Sequence, residues 1–156
     1  MAEINVDFIN PFLVAANSIM HDMCGIQTKI GKPYVKTTEF EDNSVIIMIG
    51  VTGEIRGQVM IAFSLDSACD IASKMIMMPI TEMNELSMSA ISELGNMILG
   101  NAATILSTKG IGIDITPPTL CQGSMSITTA YAKNICIPIF YDTDKCVELD
   151  IALKKD

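Results

Sequence analysis

The chain has 156 residues, 49% hydrophobic and 18% charged, which is the size and make-up of one folded domain that needs no staples. Ten basic and 18 acidic residues leave a net charge of −8, a balance that repels phosphate backbones and anionic lipid heads and argues against nucleic-acid or membrane partners. No apolar run approaches the roughly 18 residues that span a bilayer, the acidic start "MAEINVDF" lacks the pattern of a secretory signal, and a single domain over residues 1–156 in the cytoplasm is expected.

In chain order, residues 5–23 read as a helix, with Phe8, Phe12, Ala15, Ala16, Ile19 and Met23 recurring at three and four. Pro11 belongs in its first turn if the helix starts near Asn10, and Gly25 is its stop. "YVKTTEFE" (34–41), "SVIIMIGV" (44–51) and "GQVMIAFS" (57–64) then read as strands. The second of these would be a hazard on an open edge and is equally suited to a central place. A helix over 66–77 follows, capped by Asp66 and ended by Pro79. "SKMIMMP" (73–79) is read as core at that helix end, in preference to a Met-based copper site. A long helix runs from near Ser87 to near Gly110. "CQGSMSITTAYA" (121–132), "NICIPIFY" (134–141) and "CVELDIAL" (146–153) are three further strands.

Two helix-then-three-strand units with short turns predict an α+β fold: an antiparallel sheet covered on one face by long helices, with an internal pseudo-duplication. A shift of 79 places Asn10, Val14 and Asn17 on Ser89, Glu93 and Asn96. A shift of about 77 places "GQVMIAF" on "NICIPIF".

The long helix carries the chemistry. With Ser89 at 0°, Glu93 lies near about 40°, Asn96 near about 340° and Gly100 near about 20°. Ser92 and Ala103 flank them, and Ile91, Leu94, Ile98, Ala102 and Ile105 form the opposite, bulky side. Glu93 and Asn96 therefore project side by side from a face otherwise made of small residues. Two readings remain open on geometry alone. One is a solvated face of small polar residues; the other is a docking face whose carboxylate and amide enter a partner's site, where they could position a cation and a water.

Other chemistry is sparse. No dinucleotide, Walker-type or G-x-S-x-G motif occurs. The single His, His21, beside Asp22, reads as a surface residue at a helix end. The five cysteines (Cys24, Cys69, Cys121, Cys136, Cys146) contain no C-x-x-C pair, so reduced thiols and no metal site are expected.

"SAISELGN" (89–96), with "TPP" at 116–118 downstream, resembles the signature Ser/Asp-x-x-x-Glu-x-x-Asn, then Pro, of the CheC/CheX/FliY phosphatases of bacterial chemotaxis. The similarity extends over "TGEIRGQVMIAFSLDSACDIASKMI" (52–76) and so covers most of the chain. Pro117 and Pro118 lie 21 and 22 positions after Asn96, one short of the family spacing. The first-helix copy has Val14 where the motif has Glu, so the chain looks like a CheX-type member with one working copy.

This resemblance implies hydrolysis of the aspartyl phosphate of a phosphorylated CheY-like response regulator. It implies that Asn96 orients the attacking water and that Glu93 pairs with a Lys of the regulator, while Ser89, Ser92 and Gly100 let the two surfaces close. It further implies no cofactor of the chain's own, a divalent metal (Mg) carried by the regulator, and a homodimer. The alternative is a non-catalytic module that binds a regulator or serves in a flagellar switch.

Overall fold

The computed structural model describes residues 6–35, 39–127 and 134–155. Among them are three helices, α1 (Val6–Cys24), α2 (Leu65–Ile76) and α3 (Glu85–Thr108). Ten strands accompany them: β1 (Thr28–Ile30), β2 (Tyr34–Val35), β3 (Glu39–Phe40), β4 (Ser44–Gly53), β5 (Ile55–Ser64), β6 (Ile113–Ile115), β7 (Thr119–Gln122), β8 (Met125–Ser126), β9 (Ile135–Tyr141) and β10 (Lys145–Lys155). The main sheet runs β1-β9-β10-β5-β4-β6, with β2 also on β9 and β7 also on β4. Every pairing in it is antiparallel.

One face of this sheet is covered by the helices. Val45, Ile47, Ile49 and Val51 of β4, and Val147, Leu149, Ile151 and Leu153 of β10, join Phe12, Ala16, Ile91, Leu94 and Ile98 in one core. The other face is not left wholly to solvent. β3 and β8 pair into a small second sheet, and Phe40 and Met125 pack with Ile46, Met60 and Ala62. Cover on both faces explains why "SVIIMIGV" is a continuous apolar run where an alternating pattern would mark a half-exposed strand. With β5 on one side and β6 and β7 on the other, β4 is a central strand.

The chain order repeats. α1 is followed by β1 to β5, and α3 by β6 to β10. The shift of 79 carries Val6, the first residue of α1, onto Glu85, the first of α3. The strand offset near 77 is corrected: it lays β5 on β9, whereas β4 corresponds to β9 and β5 to β10, the two strands that meet at the centre of the sheet.

Several boundaries also move. Pro11 lies inside α1, beyond its first turn, and Met23 is 41% exposed while Met20 and Cys24 are buried in its place. Ser64, not Asp66, caps α2, accepting a bond from the Ser67 N–H. α2 ends before Pro79, at Met77, whose left-handed backbone (φ 63°) throws its side chain outward at 89% exposure. Met77 and Met78 are therefore surface, and only Met75 and Ile76 of that run pack on the core. The 34–41 run is two short strands on different partners, β2 on β9 and β3 on β8, with 36–38 outside the described residues. The 121–132 run is likewise broken at Gly123 (φ 108°), and residues 128–132 lie outside the description. β1 and β6, three residues each, are too short to carry a periodic signal.

Candidate functional site

α3 opens with a capping box. The Ser87 N–H donates to Asn84 Oδ1 (3.0 Å), and the Asn84 N–H donates to Ser87 Oγ (2.7 Å). This satisfies donors that the first turn would leave unpaired and starts the helix before Ser87, at Glu85. The helix then runs over β4 and beside α1, with Ile91, Leu94, Ile98 and Ala102 buried, as their spacing predicts.

Gly95 sets how closely α3 lies on the sheet. A Cβ there would sit 2.7 Å from Ile47 Cγ2, inside any ordinary contact. Gly95 is buried and lies between Glu93 and Asn96 in the chain. Its packing thus sets the height at which those two side chains stand above the sheet. Its place in "ELGN" is visible in the sequence; its reason is visible only against Ile47.

Glu93 is exposed and Asn96 half-buried, and both line one open depression of about 650 Å³. Ser89 and Ser92 line it as well, with Glu85 and Met88 toward the start of the helix. The opposite wall is Ile115, Thr116, Pro117 and Pro118. Of the residues expected on this face, Gly100 does not line the depression. A Cβ at Gly100 would meet open space, so nothing within the fold requires a glycine there. Glu85 and Met88, near the start of α3, and Ile115 escaped the sequence reading, and Thr116 entered it only within "TPP", because strand β6 is short and sequence distance hides its approach to α3.

The prolines are placed by a bulge. Val51 pairs with Ile115 and Met48 with Thr119. Gly50 and Ile49 on β4 therefore oppose three residues, Thr116, Pro117 and Pro118, and the longer strand bows out. None of the ten lining residues is cationic, while Glu85 and Glu93 both carry carboxylates. The depression presents negative charge and hydrogen-bonding groups and holds no nucleophile–base pair.

The corresponding face of α1 differs. Val14, 57% exposed, stands where α3 has Glu93. The carboxamide oxygen of Asn17 is occupied by the Thr28 hydroxyl, which donates to it from β1. His21 and Asp22 approach to 3.3 Å on the exposed end of that helix, as a surface pair.

Metal-ligating groups gather elsewhere. Among the described residues, Cys136, Glu148 and Asp150 bring ligand atoms within 4.8 Å of one another. They lie on the sheet face away from the helices, where the Tyr34 hydroxyl donates to Glu148 Oε1 (3.1 Å). Burial pushes the Cys136 thiol up, well above the usual thiol range. All five cysteines are free thiols.

The family model described as chemotaxis phosphatase CheX matches residues 45–140, a span that includes α3 and both prolines. The chain belongs to the CheX family of chemotaxis phosphatases. It is 31% identical over 147 residues to the CheY-P phosphatase CheX of Thermotoga maritima, covering 94% of this chain and 95% of that one. Among solved structures it is similar to a CheC-like superfamily protein from Shewanella sp. PV-4 (TM-score 0.86, 27% identity, 97% and 99% of the two chains). It is also similar to CheX in the CheX–CheY–BeF3–Mg complex from Borrelia burgdorferi (TM-score 0.83, 29% identity, 97% and 100%). The α+β fold expected from the sequence is the fold of these CheX and CheC-like structures.

Among the described residues, no helix is long and apolar enough to cross a membrane.

Proposed function

We propose that this CheX-family chain hydrolyses the aspartyl phosphate of a CheY-like response regulator by laying the Glu93–Asn96 face of α3 into the regulator's phosphorylation site. The observation that carries this reading is that Glu93 and Asn96 line one open depression with the Pro117–Pro118 wall.

An aspartyl phosphate is already a labile acyl phosphate, so positioning and charge stabilisation supply most of what catalysis needs. The Asn96 carboxamide accepts a hydrogen bond from the attacking water and holds it in line with the phosphorus. The water oxygen forms the new P–O bond, the bond to the aspartate oxygen breaks, the regulator regains its carboxylate, and both protons of the water leave with the phosphate as dihydrogen phosphate. Glu93, on a depression without a cation of its own, pairs with a Lys of the regulator and anchors the inserted helix. The Mg2+ belongs to the regulator side of the complex, and this chain contributes no cofactor. Such a substrate places the chain in the cytoplasm.

Two copies are expected to pair, because Ile30, Tyr34, Val35 and Phe140 leave apolar side chains exposed along the β1–β2–β9 edge. Light scattering across a concentration series tests this, and a monomer throughout overturns it.

The test of the activity is phosphate release from a purified, phosphorylated CheY-like regulator. Asn96→Ala and Glu93→Ala are compared with the parent chain. A parent that leaves the phosphoaspartate lifetime unchanged, or lengthens it, makes the chain a binding module. Variants that hydrolyse as fast as the parent remove these residues from the mechanism.

A further inference from the structure

The Pro117–Pro118 wall has no ladder donors of its own, since proline lacks an N–H. The bulge nevertheless stays attached to β4, and one residue, Thr116, does it with its backbone N–H and its hydroxyl. The Thr116 N–H donates to Gly50 O (3.0 Å), and the Gly50 N–H donates to Thr116 Oγ1 (2.8 Å). The Thr116 hydroxyl in turn donates to Pro117 O (3.2 Å). A threonine hydroxyl thus takes the acceptor role that backbone would fill in an unbroken ladder. It links β4 directly to the first proline of the wall.

Gly50 leaves room for this arrangement and little more. A Cβ on Gly50 would lie 3.0 Å from Thr116 Cγ2, tighter than ordinary contact. Thr116 also lines the depression itself, facing the α3 residues Ser89, Ser92, Glu93 and Asn96 across it. One side chain therefore contacts both the sheet that supports α3 and the wall opposite α3.

We propose that Thr116 is a positioning residue of this site: by closing both backbone groups of Gly50 and bonding to Pro117, it holds the Pro117–Pro118 wall at the separation from Glu93 and Asn96 that a docking regulator must fit. This rests on the reading of the depression as the regulator-docking site. The Thr116 hydroxyl is already engaged by the Gly50 N–H and by Pro117 O, so its effect is expected on association of the regulator and not on the chemical step.

The experiment measures phosphate release over a range of concentrations of a purified, phosphorylated CheY-like regulator. Thr116→Val keeps the shape and removes the hydroxyl. Its KM is expected to rise about three- to tenfold, the net worth of one hydrogen bond, with kcat within about twofold of the parent. Thr116→Ser restores the hydroxyl and is expected to return KM to the parental value. Gly50→Ala keeps Thr116 intact but crowds it, and is expected to raise KM in the same way. This variant answers the question independently if Thr116→Val does not fold.

A parental KM in Thr116→Val, or a Thr116→Ser variant as weak as Thr116→Val, overturns the proposal. So does a loss confined to kcat. Asn96→Ala, run alongside, separates the two levels. If it is slow while Thr116→Val behaves as parent, only the positioning role fails. If Asn96→Ala itself matches the parent, the assignment of the site fails.

Discussion

Gly95→Ala adds one methyl group beneath the Glu93–Asn96 face of α3. The new Cβ would lie 2.7 Å from Ile47 Cγ2, against 3.4–4 Å for ordinary contact. Helix and strand must separate locally by about 0.7 Å or more, and Ile47 cannot yield into solvent because it is fully buried. Overpacking of this kind costs about 1–3 kcal/mol. Alanine in a helix interior recovers about 1 kcal/mol relative to glycine. The net expectation is a loss of about 0–2 kcal/mol in urea unfolding.

Activity should fall further than stability. A misplacement near 1 Å at a positioned catalytic group costs about 10²-fold in rate, so phosphate release should drop about 10- to 100-fold. Ile47→Ala supplies the matching cavity and alone costs about 2–5 kcal/mol. In the double variant the added methyl occupies part of that cavity, so the two losses should fall short of their sum by about 1 kcal/mol or more. Strict additivity, or a Gly95→Ala chain that is about 1 kcal/mol more stable and fully active, would refute the packing argument.

Other outcomes follow from the same geometry. Asn96→Ala should lower phosphate release by about 10²-fold with the unfolding curve unchanged. Glu93→Ala should weaken regulator binding by about 2–5 kcal/mol, seen by titration calorimetry, if its partner lysine is left buried. Ser87→Ala removes the capping box of α3 and leaves the Asn84 N–H unpaired, and should cost about 1–2 kcal/mol in chemical denaturation.

Asp70 links α2 to the β9–β10 turn. It accepts bonds from Lys74 (2.9 Å) and Tyr141 (3.0 Å) and pairs with Lys145 (3.2 Å). Burial alone would raise its pKa. The bonds from Lys74, Tyr141 and Lys145 outweigh burial and hold the carboxyl below its ordinary 3.8. Its stabilisation is whole above the unfolded value and is lost as the pH falls through the lower folded one. Asp70→Asn should therefore be less stable than the parent at pH 7, by about 1–3 kcal/mol. The gap should shrink below pH 4 in paired urea melts; a gap that persists unchanged at low pH would contradict the assignment.

Much of the site was legible because its residues share one helix. Helical periodicity alone puts Glu93 next to Asn96 and sends Ile91, Leu94 and Ile98 the other way. The resemblance to the chemotaxis phosphatases then attached chemistry to a face that geometry left open between solvation and docking. The opposite wall was legible only as a spacing. "TPP" follows Asn96 at the wrong interval by one, and the bulge of three residues against two gives that segment its local shape. Thr116 was invisible as a participant, since a lone threonine beside two prolines has no pattern to betray a bond to Gly50.

The sequence by itself determined the elements whose signal is local and repeated: α1, α2, α3, the long strands β4, β5, β9 and β10, and the polar pair on α3. It also carried the two-unit order, although the likeness of "GQVMIAF" to "NICIPIF" joins β5 to β9 when the sheet pairs the units through β5 and β10. Tertiary structure decided what depends on distant partners. It made β4 central, covered one of its faces fully and the other in part, gave Gly95 its purpose through Ile47, and brought Pro117 and Pro118 into one depression with Asn96, 21 and 22 residues upstream. Periodicity is written into neighbouring side chains, whereas register, close approach and the shape of a depression are set by contacts between segments that no local pattern records.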